Sequence, residues 1–459
     1  MVVGQFTQET TLAVIGGGAG GYAAALRASE LQVPTIVIDP QGVCPHLTWL
    51  ASKTVADAAM LSVAAEHATG YGLTFMDRRL DMAQLQQWTE QVSDALTTQL
   101  ERSCTERGIE VIRGVAQFAG PRQLTVLNGA GARIRFKHAI IATGSSALPP
   151  PGGWRESPLV TGPGGVLGGD RLPQTMLVIG GESAALETAS AFAGLGSRVT
   201  LVAPGERLLA AADLDLLRQL ERALSRRLDH ISLATTVTAM HESSDSVEVE
   251  LAGPTVDSGM TRFEHIVVAL GARPRTEKLN LAKAQIETGS DGSILVDEQL
   301  RTSNRRVLAV GDVTGGPTRA NFAIHQGRIA AEIVAGLDVV SEPRAVPGVI
   351  FTDPPLAWCG LTESQAIAQG IDHEIYRADW SASGRAVSLA QTDGLTKLIV
   401  EPESGLVLGM GIAGAGAPEM IGQGALAVEM GAVIDDLAAI VHAHPSLSEL
   451  IAQAARQKK

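Results

Sequence analysis

A glycine-rich segment near the start of the chain has the residue types needed to bind a phosphate. Gly16, Gly18 and Gly21 follow an apolar stretch and open an alanine-rich one. Gly16 permits a tight turn, Gly18 lets the backbone approach a pyrophosphate, and Gly21 allows close packing of a helix on a strand. Asp39 follows a second apolar stretch at residues 34–38, where its carboxylate can accept hydrogen bonds from ribose hydroxyls. Together these residues predict a βαβ unit that binds a dinucleotide.

The same kind of segment occurs again at residues 174–203, with a weaker fingerprint. Gly180 is at the position of the first glycine, but Glu182 replaces the glycine that approaches the pyrophosphate. Ala185 replaces the third glycine, and Ala203 is at the position of the ribose-binding acid. The carboxylate of Glu182 either repels a pyrophosphate or turns away to cap the N-terminus of the helix. The βαβ context favours a second nucleotide-binding domain, and a Rossmann-like domain that no longer binds a nucleotide is the alternative.

The three cysteines, Cys44, Cys104 and Cys359, are far apart in the sequence. They have neither the pattern of a disulfide framework nor the spacing of a zinc site, so no metal is predicted. Cys44 lies in the stretch 42–53, directly after the first βαβ unit. The stretch resembles a redox-disulfide loop with one sulfur missing, and this resemblance makes Cys44 the candidate catalytic thiol.

Length and composition indicate a chain of several domains. Its 459 residues are 45% hydrophobic, which is enough to bury more than one core, and we expect two or three domains. The chain has no apolar run approaching the roughly 20 residues of a bilayer crossing, and no secretory signal pattern. We therefore expect a soluble, cytoplasmic protein without membrane insertion. A formal net charge of −13 argues against a nucleic acid or an anionic membrane as partner.

Three further apolar strands end in residues that suit a cofactor site. One precedes Thr143 and Gly144, and a similar one precedes Gly271, so both end in a turn of small residues. A third strand is followed by Gly311 and Asp312, which place one carboxylate at a strand end where it suits a ribityl hydroxyl or a phosphate. These strands return the chain to the first domain and complete the second.

The elements predict an α/β protein with two Rossmann-like dinucleotide-binding domains and an α+β C-terminal domain. The first dinucleotide-binding domain is expected at 1–150 and the second at 151–275. A return segment of the first domain is expected at 276–346, and the C-terminal domain at 347–459.

The order of these motifs resembles that of the FAD-dependent pyridine nucleotide–disulfide oxidoreductases over nearly the whole chain. Within that family the chain is most similar to dihydrolipoamide dehydrogenase, with features of mercuric reductase in the second nucleotide domain. The resemblance implies FAD in the first domain, NADPH or NADH in the second, and a C-terminal dimerisation domain that forms a homodimer. The residues that it assigns to FAD are Gly16, Gly18, Gly21, Asp39, Thr143, Gly144 and Asp312. We expect Gly180, Arg207 and Gly271 of the second domain to bind the pyridine nucleotide.

The choice between the two nucleotides rests on the end of the second strand in the second domain. Ala203 removes the acid that would repel a 2′-phosphate, and Arg207 is near enough in sequence to attract one, which favours NADPH. Arg207 also matches an arginine that is common in the family whichever nucleotide is used. Mercuric reductase activity is not expected, because the C-terminal cysteine pair of that enzyme is absent.

The stretch 42–53 departs from the family. The family has two cysteines here, and alignment on Ser52-Lys53 puts Cys44 at the first of them and Trp49 at the second. In the family the second sulfur contacts the flavin and the first exchanges with the substrate. The resemblance therefore implies that the redox disulfide is lost, and a different local alignment would still offer one cysteine only.

Other residues of the family pattern are retained. Lys53 is at the position of a lysine near the flavin, and Glu187 is at the position of its carboxylate partner, although a surface ion pair worth little is the alternative. Near the C-terminus, His444 with the following Pro445 matches the family's base, and Glu449 matches the carboxylate that orients it.

Three functions remain open. The first is an NAD(P)H oxidoreductase whose flavin passes electrons directly to a small acceptor such as a quinone. The second is single-cysteine, lipoamide-like chemistry at Cys44 with His444 as base, since a nearby imidazolium stabilises a thiolate. The third is a non-catalytic, flavin-holding or regulatory relative, which Trp49 and Glu182 favour.

Overall fold

The computed structural model describes residues 7–43, 47–76, 78–128, 131–150, 154–256 and 259–458, and leaves out the side chains of 47–49. The strands, in chain order, are β1 (Thr7–Ile15), β2 (Thr35–Asp39), β3 (Glu110–Arg113), β4 (Val115–Gly120), β5 (Gln123–Leu127), β6 (Arg133–Ile141), β7 (Ser145–Ala147), β8 (Val160–Thr161), β9 (Thr175–Ile179), β10 (Arg198–Val202), β11 (His230–Ser232), β12 (Thr236–Glu242), β13 (Val247–Ala252), β14 (Met260–Phe263), β15 (His265–Val268), β16 (Ala272–Pro274), β17 (Val307–Ala309), β18 (Gly348–Ile350), β19 (Leu356–Gly360), β20 (Glu374–Asp379), β21 (Leu395–Val400) and β22 (Val407–Ala413). The helices are α1 (Ala19–Glu30), α2 (Leu47–His67), α3 (Met82–Glu106), α4 (Pro163–Val166), α5 (Ser183–Leu195), α6 (Leu214–Arg227), α7 (Ala320–Val334), α8 (Glu363–Gln369), α9 (Gly384–Ser388), α10 (Ala417–Met430), α11 (Ile434–Ala439) and α12 (Glu449–Ala455).

The chain divides into two compact units, each assembled from three segments. The first unit comprises Met1–Leu50, Trp88–Leu148 and Ala272–Glu342, and the second comprises Ala51–Gln87, Pro149–Gly271 and Pro343–Lys459. None of the helices in the described part of the chain has the length and apolarity that a bilayer crossing requires.

The sheet of the first unit has the strand order β3-β2-β1-β6-β5-β4, and β17 also pairs with β6. β1 is parallel to both of its neighbours, with Val14 opposite Val37 on one side and Ile140 on the other. These strands are continuous apolar runs because residues of both faces are buried, in two separate apolar clusters. Helices α1 and α7 pack closely there, since a Cβ on Gly327 would overlap the carbonyl oxygen of Gly20.

The second unit contains a parallel sheet, β11-β10-β9-β15-β8, and two antiparallel sheets, β12-β13-β14 and β18-β19-β22-β21-β20. Helices α5 and α6 pack on the parallel sheet and contribute to a core that includes Leu186 and Leu220. The same core includes Ile350 and Leu356 of the last sheet, so the segment Pro149–Gly271 and the C-terminal segment Pro343–Lys459 share one apolar interior. The predicted α/β class is confirmed.

Trp380 lies at the centre of the C-terminal segment, where its side chain is completely buried. Its Nε1 donates to the hydroxyl of Thr396 at 3.1 Å. A Cβ on Gly394 or on Gly414 would overlap the indole ring, so these two glycines provide the space that the ring fills. The indole is therefore enclosed, and its loss would leave a cavity that the backbone cannot easily close.

We expect Trp380→Ala to destabilise the protein by about 3–5 kcal/mol, the usual cost of removing a large buried aromatic side chain. The measurement is the urea midpoint of unfolding, followed by circular dichroism. Ile367→Ala is the control, because Ile367 is exposed on α8 in the same segment and its removal should change the midpoint little. Equal effects of the two substitutions would contradict the central position of Trp380.

Candidate functional site

The first glycine turn joins β1 to α1 and requires glycine for steric reasons. Gly16 has a φ of +107°, and its N–H donates to the carbonyl of Ile38 at 2.9 Å. A Cβ on Gly16 would overlap the carbonyl oxygen of Ala142, and a Cβ on Gly21 would overlap that of Gly16. Gly18 is the N-cap of α1, where free backbone N–H groups favour an anion.

Asp39 ends β2 directly beside this turn. One carboxylate oxygen accepts a hydrogen bond from the N–H of Gly17 at 2.9 Å, and the other accepts from the N–H of Gln41 at 2.7 Å. These two bonds fix the carboxylate at the strand end, and each oxygen keeps a lone pair for a further donor. The arrangement suits the pair of hydroxyl groups on a ribose.

A cleft of about 400 Å³ lies at the carboxyl ends of β1, β2 and β6. This is the edge at which open α/β sheets bind their ligands. The hydroxyl of Thr143 donates to the backbone carbonyl of Arg275 at 2.9 Å, which ties two walls of the cleft together. The residues that line the cleft include Gly16, Asp39, Thr143, Arg275, Glu277 and Lys278.

Asp312 lies in a 3₁₀ turn, Gly311–Thr314, directly after β17. Its carboxylate accepts a hydrogen bond from the hydroxyl of Ser145 at 2.7 Å, and Ser145 directly follows Gly144. The structure therefore brings Gly144 and Asp312 together at one strand edge. The role of Ser145 was missed by sequence reasoning, because a serine in a small-residue turn gives no signal of a partner 167 residues away.

The second glycine turn has the same backbone form as the first. Gly180 has a φ of +143°, and its N–H donates to the carbonyl of Val202 at 2.8 Å. A Cβ on Gly180 would overlap the carbonyl oxygen of Ala269, two residues before Gly271. The turn geometry of a nucleotide-binding unit is thus present although two of the three glycines are replaced.

Glu182 is the N-cap residue of α5, but its side chain makes no capping hydrogen bond. Its carboxylate instead accepts from the N–H of Ala210 at 3.3 Å. Ala210 lies in the segment 203–213 between β10 and α6, which we call the 203–213 loop. Of the two alternatives for Glu182, capping of the helix is therefore not observed, because a backbone donor of this loop holds the carboxylate.

Arg207 also lies in the 203–213 loop and is half-buried. Its Nη2 donates to the carbonyl of Ala212 at 2.6 Å, and its buried Nε has no partner among the described residues. Ala203, at the start of the loop, is buried and presents no carboxylate to a 2′-phosphate. Arg207 thus stabilises the fold of the loop through Ala212.

Lys53 on α2 and Glu187 on α5 form an ion pair, with 2.5 Å between Nζ and Oε2. The other carboxylate oxygen of Glu187 accepts from the N–H of Phe351 at 3.0 Å. Nζ of Lys53 lies 4.6 Å from the centroid of the Phe351 ring, within range of a cation–π interaction. Both charged side chains are largely buried, at 24% and 12% exposure, so the pair is more than a solvated surface contact. The contribution of Phe351 was missed, because nothing in its sequence context indicates a cation above the ring.

His444 and Glu449 form the second polar pair, with 2.9 Å between Nδ1 and Oε1. The other oxygen of Glu449 accepts from the N–H of Ser446 at 2.9 Å. This backbone hydrogen bond, and after it the bond to His444, lowers the pKa of Glu449. The imidazole is 82% exposed, so a carboxylate orients the ring through Nδ1 while the ring remains accessible to solvent.

Cys44 and the side chain of Trp49 lie outside the described residues. The other two thiols are buried, and burial raises the pKa of Cys104 and raises that of Cys359 to about 12. Burial thus disfavours the thiolate form of both residues and closes them off from a substrate, which leaves Cys44 as the candidate for thiol chemistry.

Comparison with protein-family models matches residues 10–327 to the family described as pyridine nucleotide-disulphide oxidoreductase. Residues 346–455 match the dimerisation domain of the same family, which supports a homodimer. The chain belongs to the pyridine nucleotide-disulphide oxidoreductase family. The family is FAD-binding and uses NAD(P)H as its pyridine nucleotide substrate, which confirms both expected cofactors.

Its curated relatives include the dihydrolipoyl dehydrogenase of Vibrio cholerae, which is 32% identical over 97% of this chain and 95% of the relative. The dihydrolipoyl dehydrogenase of Halobacterium salinarum is 34% identical over 99% of this chain and 97% of the relative. These relatives confirm the expected likeness to dihydrolipoamide dehydrogenase.

Among solved structures, LpdA from Mycobacterium tuberculosis superimposes with a TM-score of 0.90 at 25% identity, over 97% of this chain and 99% of that one. The HOCl-induced flavoprotein disulfide reductase RclA from Escherichia coli gives a TM-score of 0.86 at 24% identity, over 98% of this chain and 100% of that one. The likeness to RclA concerns the fold alone.

We expect iodoacetamide at about pH 8 to leave Cys104 and Cys359 unmodified in the native protein, because buried thiols with raised pKa values stay protonated. Peptide mass spectrometry after a timed quench measures the labelling of each cysteine. Protein unfolded in urea is the control and should be labelled at all three positions. Native labelling of Cys359 as fast as in urea would contradict its burial.

Proposed function

We propose that the chain is an FAD-dependent NAD(P)H oxidoreductase without the redox disulfide of its family, which passes electrons from the flavin directly to a small acceptor such as a quinone. The cysteine distribution carries the proposal. Cys104 and Cys359 are buried, so Cys44 is the single thiol left for a site in the stretch 42–53. A dithiol relay needs two sulfurs at bonding distance.

The residues of the first unit fit FAD. The glycine turn admits a pyrophosphate at the N-terminus of α1, the fixed carboxylate of Asp39 can accept ribose hydroxyls, and Arg275 and Lys278 bring positive charge to the cleft. When bound, FAD supplies hydride acceptance and onward electron transfer. We assign to it Gly16, Gly18, Gly21, Asp39, Thr143, Gly144 and Asp312.

The pyridine nucleotide is assigned to the second dinucleotide-binding segment, at Gly180, Arg207 and Gly271. The missing carboxylate at Ala203 favours NADPH over NADH. With this assignment the domains are a first FAD-binding part at 1–150, an NAD(P)-binding part at 151–275, an FAD-binding return at 276–346 and a dimerisation part at 347–459.

Lys53 and Glu187 are proposed to keep the cofactor-facing role that the family gives to this pair. The carboxylate is held on one side by the N–H of Phe351 and on the other by the ammonium. Lys53 is therefore a fixed positive charge, suited to stabilising negative charge that develops during electron transfer.

We expect NADPH, and more weakly NADH, to bleach the visible absorption band of oxidised flavin under anaerobic conditions. No long-wavelength thiolate–flavin band should appear, because the second cysteine is missing. The measurement is an anaerobic visible titration, with dithionite as the control for a reducible flavin. Flavin that dithionite reduces but neither nucleotide reduces would favour the non-catalytic, flavin-holding relative.

Single-cysteine chemistry at Cys44 is the second candidate function, and the pairing of His444 with Glu449 supports it. An imidazole oriented by a carboxylate is the arrangement of a general base. In this alternative His444 takes the proton of the Cys44 thiol, and the thiolate attacks a disulfide substrate. A mixed disulfide forms between Cys44 and one substrate sulfur, and the other substrate sulfur leaves as a thiol.

Cys44→Ser and His444→Ala separate the two candidates. Direct transfer predicts that both variants oxidise NADPH with a water-soluble quinone at rates within about twofold of the wild type, since neither side chain takes part. Single-cysteine chemistry predicts that both variants lose lipoamide-dependent turnover. The assay is NADPH oxidation with each acceptor, and loss of quinone turnover in Cys44→Ser would contradict direct transfer.

A further inference from the structure

Lys397 of β21 carries an ammonium group in the interior of the second unit, with its side chain 0% exposed. Nζ lies 3.1 Å from Asp213 and 3.0 Å from Asp215, and it also donates to Glu363. Burial alone would lower the pKa of Lys397, but the hydrogen bond to Glu363 and the charges of the two aspartates outweigh burial and raise it. Lys397 is therefore a buried, charged residue.

The three carboxylates place ligand oxygens within 4.8 Å of one another, a spacing that a metal ion could use. Lys397 already supplies positive charge among them, and Arg377 contacts Asp215 at 2.7 Å. Burial would raise the pKa of Asp215, but Lys397 and Arg377 lower it overall. We therefore describe the cluster as an ion-pair network in which two cations contact three carboxylates.

This network lies at one end of the 203–213 loop, because Asp213 is the last residue of the loop. Further back, the N–H of Leu209 donates to the carbonyl of Gly181 at 2.9 Å, and the N–H of Ala210 donates to Glu182. Gly181 and Glu182 belong to the second glycine turn. The loop thus connects the buried ammonium to the turn through two hydrogen bonds.

The carboxylate of Asp213 is held at this end of the loop by the ammonium. Its side chain is 5% exposed, one oxygen contacts Lys397, and the other oxygen is buried without a partner among the described residues. Removal of Lys397 would therefore leave Asp213 without its one ionic contact in the described structure. The loop end would then be free to move toward water, where the carboxylate can be solvated.

We propose that Lys397 is a positioning residue for the pyridine nucleotide site, fixing the 203–213 loop against the second glycine turn through Asp213. The inference rests on the proposed nucleotide site at Gly180 and Arg207. A purely stabilising role accounts poorly for the cluster, because a buried ion pair adds little stability over apolar residues of similar volume. The positional role also links the dimerisation segment, which contains β21, to nucleotide binding.

The direct test is Asp213→Ala in the full-length holoprotein. This substitution removes the link to the loop and leaves Lys397 and Arg377 facing Asp215 and Glu363, two charges against two. We expect amide hydrogen exchange in the 203–213 loop to increase about fivefold or more, with exchange in β21 unchanged. The KM for NADPH should rise about fivefold or more while kcat stays within about twofold.

Two further variants distinguish loss of the Lys397–Asp213 contact from a general effect of changing a charged residue. Lys397→Met combined with Asp213→Asn and Glu363→Gln removes the ammonium without leaving a buried unpaired charge, and should reproduce the exchange and KM changes. Lys458→Met is the matched control, because Lys458 pairs with Asp435 at 3.2 Å on the surface and should change neither quantity.

Unchanged loop exchange with an unchanged KM in Asp213→Ala would overturn the inference, even if the melting temperature fell, because Lys397 would then be structural only. If NADPH fails to reduce the wild-type flavin, the proposed function fails separately. In that case the test is the comparison of amide exchange in the 203–213 loop between the wild type and Asp213→Ala. Faster loop exchange in the variant supports the role of Lys397 in fixing the loop, and unchanged exchange overturns it.

Discussion

The structure depends on a steric constraint that occurs twice, the close approach of a glycine to the carbonyl group of a neighbouring parallel strand. Gly16 has Ala142 as that neighbour, and Gly180 has Ala269. The N–H of Gly16 donates to the carbonyl of Ile38, and that of Gly180 donates to the carbonyl of Val202. A side chain at either glycine would therefore force neighbouring strands apart. The cleft of the first unit lies at the first of these turns, at the carboxyl ends of the strands.

Much of the fold could be predicted from the sequence because local signals determine it. Apolar runs of strand length followed by glycine and an alanine-rich stretch predict βαβ units wherever they occur. The strands predicted before Thr143 and before Asp312 are observed as β6 and β17. The turn at Gly180 keeps its backbone form although the second and third glycines of the motif are replaced. Its geometry depends on the first glycine and on the neighbouring strands.

The contacts that define the candidate sites were less predictable, because their partners are far apart in the chain. Ser145 contacts Asp312, and Phe351 contacts the pair formed by Lys53 and Glu187, each across more than a hundred residues. Such contacts depend on how sheets pack, which no sequence spacing records. The sequence also left the direction of the Glu182 carboxylate open, and the structure shows it bonded to the 203–213 loop.

The pairing of His444 with Glu449 has a consequence for how such an enzyme can diverge. Its geometry is local, since the carboxylate of Glu449 is fixed by the N–H of Ser446, three residues before it, and the ring is oriented by a residue five positions away. No contact in this arrangement depends on a thiol. Evolution can therefore gain or lose a sulfur in the stretch 42–53 without altering the geometry of the proposed base, so the thiol and the base can change independently.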